Sequence, residues 1–176
     1  MKTNTQHILT VMKIIAWLAF VGFSIQCTAQ ITALVVGFVK PEFAPNLYKV
    51  DENWFKLKEE SDLIFICIMS IIIAISAFKA NVWYTVIKLF DSLNLDNPFT
   101  IEVAKKLEGI AWQLLVVWIA GAIGSGYLKN VQKFQEIDFL YLDNEGEFLF
   151  VAGIIYIISQ IFKRGVELQE ESELTV

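Results

Sequence analysis

Apolar residues along this chain gather into four long runs separated by polar stretches. The first covers residues 11–39, broken only by scattered small and amide side chains. The second covers 63–78, is interrupted by Lys79 and Asn81, and resumes through 82–87 towards Phe90. The third is 110–128 and the fourth 148–162. The runs are continuous, without the alternation of strands, and a membrane-crossing helix needs about 20 mainly apolar residues. Lipid offers no hydrogen-bond partner to an open backbone, so only helices and closed barrels can cross it. The pattern predicts an all-α, integral membrane four-helix bundle forming one domain over 1–176, with spanning helices at about 11–39, 63–87, 107–128 and 148–164.

The polar stretches between the runs set the topology. Residues 40–62 and 129–147 fall on one side, and 88–106 with the tail 165–176 on the other. With both termini cytoplasmic, the inner set is Lys2, Lys13, Lys79, Lys88, Lys105, Lys106, Lys163 and Arg164. It outnumbers the outer set of Lys40, Lys49, Lys56, Lys58, Lys129 and Lys133, as the positive-inside rule asks. A cleavable leader is the competing reading of the N-terminus, because Cys27-Thr28-Ala29 resembles a small-x-small site. The apolar run continues directly through 31–39, which favours an uncleaved first helix.

The stretch 93–110 is polar enough for water yet patterned. Asn97-Pro98 stops a helix arriving from upstream, because the residue before proline is pushed out of the helical region. Thr100 then caps a new helix and Glu102 occupies its first turn, where the dipole favours an acid. Val103, Leu107, Ile110 and Leu114 follow at helical spacing and carry the helix into the third run. This segment reads either as a well-capped helix start or as a docking surface for a cytoplasmic partner.

Composition narrows the chemistry. The net charge is −5 at 56% hydrophobic content, and no basic patch is large enough to neutralise several phosphates, which excludes direct nucleic-acid binding. Cys27 and Cys67 both lie in apolar runs and read as packing residues. The single histidine, His7, lies in the N-terminal tail. No Asp, Glu, Arg or His sits deep in any run, and Lys13 and Lys79 read as lying near helix ends. No nucleophile with a base and no metal-ligand set is present, so the expectation is a non-enzyme with no cofactor, no metal site and no catalytic residue. What polarity the runs hold is mostly amide: Gln26, Gln30, Asn81, Gln113 and Gln160 mark a polar seam. It reads as interhelical hydrogen bonding or as the lining of a path. The third run also carries small-xxx-small pairs (Ala120/Gly124, Gly121/Ser125, Ala122/Gly126), which permit close helix approach and self-association.

Two motifs carry a resemblance. One is Asp96-Asn97-Pro98-Phe99-Thr100, followed by Glu102, Ala104, Leu107 and Ile110. The other is the ending 161–176, with Gly165-Val-Glu-Leu168-Gln-Glu170-Glu171 and then Leu174-Thr175-Val176. In these motifs, its length and its four-run layout the chain resembles the bacterial domain of unknown function 2975 family. Ser172-Glu173 and Val103 depart from the pattern expected there. The resemblance implies a multi-pass protein of the bacterial cytoplasmic (inner) membrane with no established activity. Family members are often encoded beside a small helix-turn-helix regulator, which implies a membrane-bound partner or inhibitor of such a regulator. On that implication Asn97, Pro98, Phe99 and Thr100 position the loop, and Leu168, Glu170, Glu171, Leu174 and Thr175 make contact. Three other readings of the tail stay open: a frayed helix end, a ligand for a carboxylate-binding domain, or a lock folded back on the Asn97–Thr100 turn. The alternative function is a small self-associating transporter or channel subunit with an amide-lined path.

Overall fold

The computed structural model of the 176-residue chain describes residues 2–39, 58, 61–94, 97–135 and 146–174. They form four helices: α1 (Lys2–Val39), α2 (Asp62–Ser92), α3 (Ile101–Gln135) and α4 (Gly146–Leu174). Each contains a stretch long and apolar enough to cross a membrane, and no strand occurs among the described residues. The protein is an all-α membrane bundle.

Every helix overruns its predicted span. An apolar run marks what lipid covers, whereas helical hydrogen bonds propagate into water until a cap ends them. Ser61 is such a cap: its extended backbone (φ −158°, ψ 110°) precedes α2, and its hydroxyl accepts from the Ile64 amide at 3.5 Å. Thr100 does the same for α3, its hydroxyl accepting from the Val103 amide at 3.3 Å and its carbonyl from the Ala104 amide at 3.1 Å. The tail is helical to Leu174. Two positions are corrections: α1 begins at Lys2, so Lys13 lies well inside it, and α2 continues unbroken to Ser92, so Lys79 likewise lies well inside it and not near an end. Its ammonium stands 5.0 Å from the centroid of the Phe148 ring on α4, a cation–π contact.

Packing follows chain order: α1 on α2, α2 on α3, α3 on α4. Among the described residues α1 packs against neither α3 nor α4. The α1–α2 pair is antiparallel, joined in succession by Lys13–Asp91, Phe20–Tyr84, Cys27–Ile73 and Phe38–Phe65. Val82 and Leu89 of α2, Val103, Ile110 and Leu114 of α3 and Ala152 of α4 form a common apolar cluster. The central helices therefore carry the interior: 33% of the most apolar stretch is buried in α2 and in α3, against 6% in α1 and 11% in α4. Water supplies no driving force between helices in lipid, so this interior is held by shape and dispersion.

All four helices carry ion pairs at one end of the bundle. Lys13–Asp91 links α1 to α2, Lys163–Glu108 (2.9 Å) links α4 to α3, and Lys106–Glu102 and Arg164–Glu167 (both 2.6 Å) lie within α3 and α4. This charged belt is where the bundle leaves the hydrocarbon.

Candidate functional site

The charged end is also where the two sequence motifs meet. Pro98 delivers the chain to the Thr100 cap, so Asn97, Pro98 and Phe99 cross the end of the bundle between α2 and α3. Here α4 runs past them. The Phe99 ring packs 5.1 Å from the Phe162 ring at 50°. It also covers Gly165 so closely that a Cβ there would lie 2.7 Å from Phe99 Cδ1. One turn on, Gln169 Nε2 donates to Asn97 Oδ1 at 3.4 Å. The half-buried Lys163–Glu108 pair closes the same corner. These contacts form a clasp between α4 and the Asn97–Thr100 turn, made by Gly165 and Gln169 as the unbroken helix runs past it and not by a tail folded back.

The clasp divides the predicted contact residues. Asn97, Phe99 and Thr100 are spent on internal contacts, and Pro98 is half-buried among them. Leu168, Glu170 and Glu171 lie exposed on the stretch of α4 that projects beyond the clasp. Leu174 ends α4, its side chain outside the described residues, and Thr175 lies outside them altogether. Sequence reasoning did not place Glu108 or Gln169 here, and it read Lys163 only as a basic residue at the membrane edge. Gly165 offered a signal, because a glycine inside a helix costs about 0.5–1 kcal/mol and stays where another group must come close.

The predicted amide seam is not one surface. Gln26 is exposed on α1. Gln30, also on α1, is half-buried with an Oε1 that is enclosed and unpartnered. Gln113 of α3 bonds the Thr85 hydroxyl of α2 at 3.3 Å. Gln160 donates to its neighbour Ser159 at 3.2 Å, and Asn81 is exposed on α2. The small-residue stripe of α3 is divided too: Gly121 and Gly124 are buried, while a Cβ at Gly126 would meet nothing within 4 Å. An open groove of about 550 Å³ on α1, lined by Phe20, Val21, Ser24, Ile25, Thr28, Ala29 and Thr32, presents little polarity. Its hydroxyls bond carbonyls one turn back at 2.7–2.8 Å.

A family model described as "Protein of unknown function (DUF2975)" matches residues 9–176, nearly the whole chain. No curated protein and no solved structure matches it.

Proposed function

We propose that this chain, which belongs to the DUF2975 family of proteins of unknown function, is a membrane-anchored docking protein. In this reading the clasp end faces the cytoplasm of a bacterium and binds a small, basic helix-turn-helix regulator, holding it at the inner membrane. The observation that carries the reading is the extension of α4 beyond the clasp. Leu168 is 52% exposed there, with Glu167, Glu170 and Glu171 exposed around it. An apolar anchor ringed by acids suits a basic partner, whose approach the charges steer and whose register the anchor sets. The clasp supports the reading by fixing the direction in which the extension leaves the bundle. Contact then falls to Leu168, Glu170, Glu171, Leu174 and Thr175, while Asn97, Pro98, Phe99 and Thr100 hold the platform. An amide-lined transport path draws less support, because Gln26 and Gln30 sit on α1 and Gln113 on α3, helices that do not pack together.

The test is in-cell photocrosslinking from two positions. A photoreactive residue at Leu168 is expected to capture a small helix-turn-helix protein. One at Phe99 is expected to capture α4 of the same chain. Capture at Leu168 of this chain alone would overturn the docking reading and leave the clasp standing.

A further inference from the structure

A polar column crosses the outward face of the bundle where α2 meets α3. Asn81, Thr85 and Lys88 follow at helical spacing on α2, as do Lys106, Gly109 and Gln113 on α3, so each set shares one face of its helix. Two contacts bring the faces together: Gln113 with the Thr85 hydroxyl, and Lys106 Nζ donating to the Lys88 carbonyl at 3.1 Å. The apolar cluster of α2, α3 and α4 occupies other sides of the same helices. Asn81 and Lys88 are exposed. A Cβ at Gly109 would meet nothing within 4 Å, which leaves an opening between Lys106 and Gln113.

Helix packing accounts for Gln113, Thr85 and Lys106 but not for Asn81 and Lys88 at the two ends of this column. Polar groups that bind helices together in lipid turn towards a neighbouring helix. The Asn81 amide faces outward and bonds no described residue. It lies two turns deeper than Lys88, about 10 Å at roughly 1.5 Å per residue. Lys88 is equally unaccounted for. Lys13, Lys106, Lys163 and Arg164 are ion-paired in the charged belt, but Lys88 has no carboxylate partner among the described residues. Its ammonium stands 4.3 Å from the centroid of the Tyr84 ring, one turn deeper along α2. Lys105, one turn before Gly109, is exposed and has no ion pair among the described residues either.

We propose that this seam binds an anionic glycerophospholipid, with the phosphate near Lys88 and Lys105 and the Asn81 amide donating to a glycerol ester carbonyl. The cations are opposite in sign to the phosphate and stand where the bundle leaves the hydrocarbon. Because the Lys88 ammonium is drawn inward over Tyr84, about one turn separates it from Asn81, comparable with the separation of a phosphate from the ester groups of the same lipid. A second copy docked face to face here would instead bring unpaired lysines towards their counterparts.

Native mass spectrometry of the full chain in detergent, titrated with phosphatidylglycerol or phosphatidylcholine, tests the site. Phosphatidylglycerol is expected to be retained in preference. Lys88→Gln should reduce that retention about fivefold, the usual effect of one lysine at an anionic membrane surface, and Lys88→Arg should restore it. Asn81→Leu should weaken both lipids, because the ester groups are common to them. Arg164→Gln, off the column, should change neither. Equal retention of the two lipids, or an unchanged Lys88→Gln variant, would overturn the proposal. So would a lipid-free dimer that Asn81→Leu converts to monomer, since the column would then be a protein interface.

Discussion

Substituting Gly165 with alanine probes the clasp at its tightest point. The new Cβ would stand 2.7 Å from Phe99 Cδ1 and 3.1 Å from Cγ, so the ring has to leave its place against Phe162. Overpacking of this kind costs about 1–3 kcal/mol. Alanine returns about 0.5–1 kcal/mol by favouring the helix over glycine. The balance is about 1 kcal/mol against the closed clasp, a shift of about fivefold in its open fraction. The loss is local, because Phe99 is 37% exposed and leans on α4 alone among the ring contacts of this end. Hydrogen exchange of the protein in nanodiscs reads it directly. Peptides spanning 97–104 should exchange about fivefold faster, while those of α1 and the outer half of α2 stay as they were. In a Phe99→Ala background the same Gly165→Ala change should have no such effect, since the collision is gone. If Gly165→Ala leaves exchange at 97–104 unchanged or slows it, Phe99 simply steps aside, and the tight approach does not hold the loop.

Thr100→Ala should lower stability by about 1 kcal/mol through loss of the α3 cap, with Thr100→Ser close to wild type, read as melting temperature in detergent. Gln30→Leu should raise that temperature, because an enclosed, unpartnered amide oxygen costs about 1–3 kcal/mol and leucine carries none. Lys163→Gln should destabilise more than Arg164→Gln. The Lys163–Glu108 pair is half-buried between helices, whereas Arg164–Glu167 is exposed on one helix, where solvent screens the attraction; comparative thermal unfolding of the two variants decides it.

The parts of this fold that were legible in the sequence are those set by local chemistry. Runs of apolar residues specify crossing helices whatever surrounds them, and the Thr100 cap depends on amides only three and four residues away. Neighbour relations were not legible. Gln26, Gln30 and Gln113 each lie on a polar stripe of their own helix, but periodicity says nothing about which stripes face each other. Among the described residues the structure sets α1 against α2 alone. Asn97 and Gln169 are 72 residues apart, and no local rule pairs them. A glycine inside α4 is a weak hint of close approach: Gly165 meets Phe99, but a Cβ at Gly153 would meet nothing within 4 Å. Lys79 misled because the apolar run pauses there while the helix does not.

Chain-order packing bears on how the protein is made. Synthesis proceeds from the N-terminus, so α2 finds α1 already present, and α3 then finds α2. No helix has to wait for a distant partner before it has a surface to lie on. The clasp is different: Asn97 and Phe99 are translated before α3, and Gly165 and Gln169 only within α4. A chain that stalls or is cut before α4 can settle in the bilayer, but it cannot close that corner. The closed corner thus reports that α4 has been made and has docked, and the α4 extension takes its fixed direction only then.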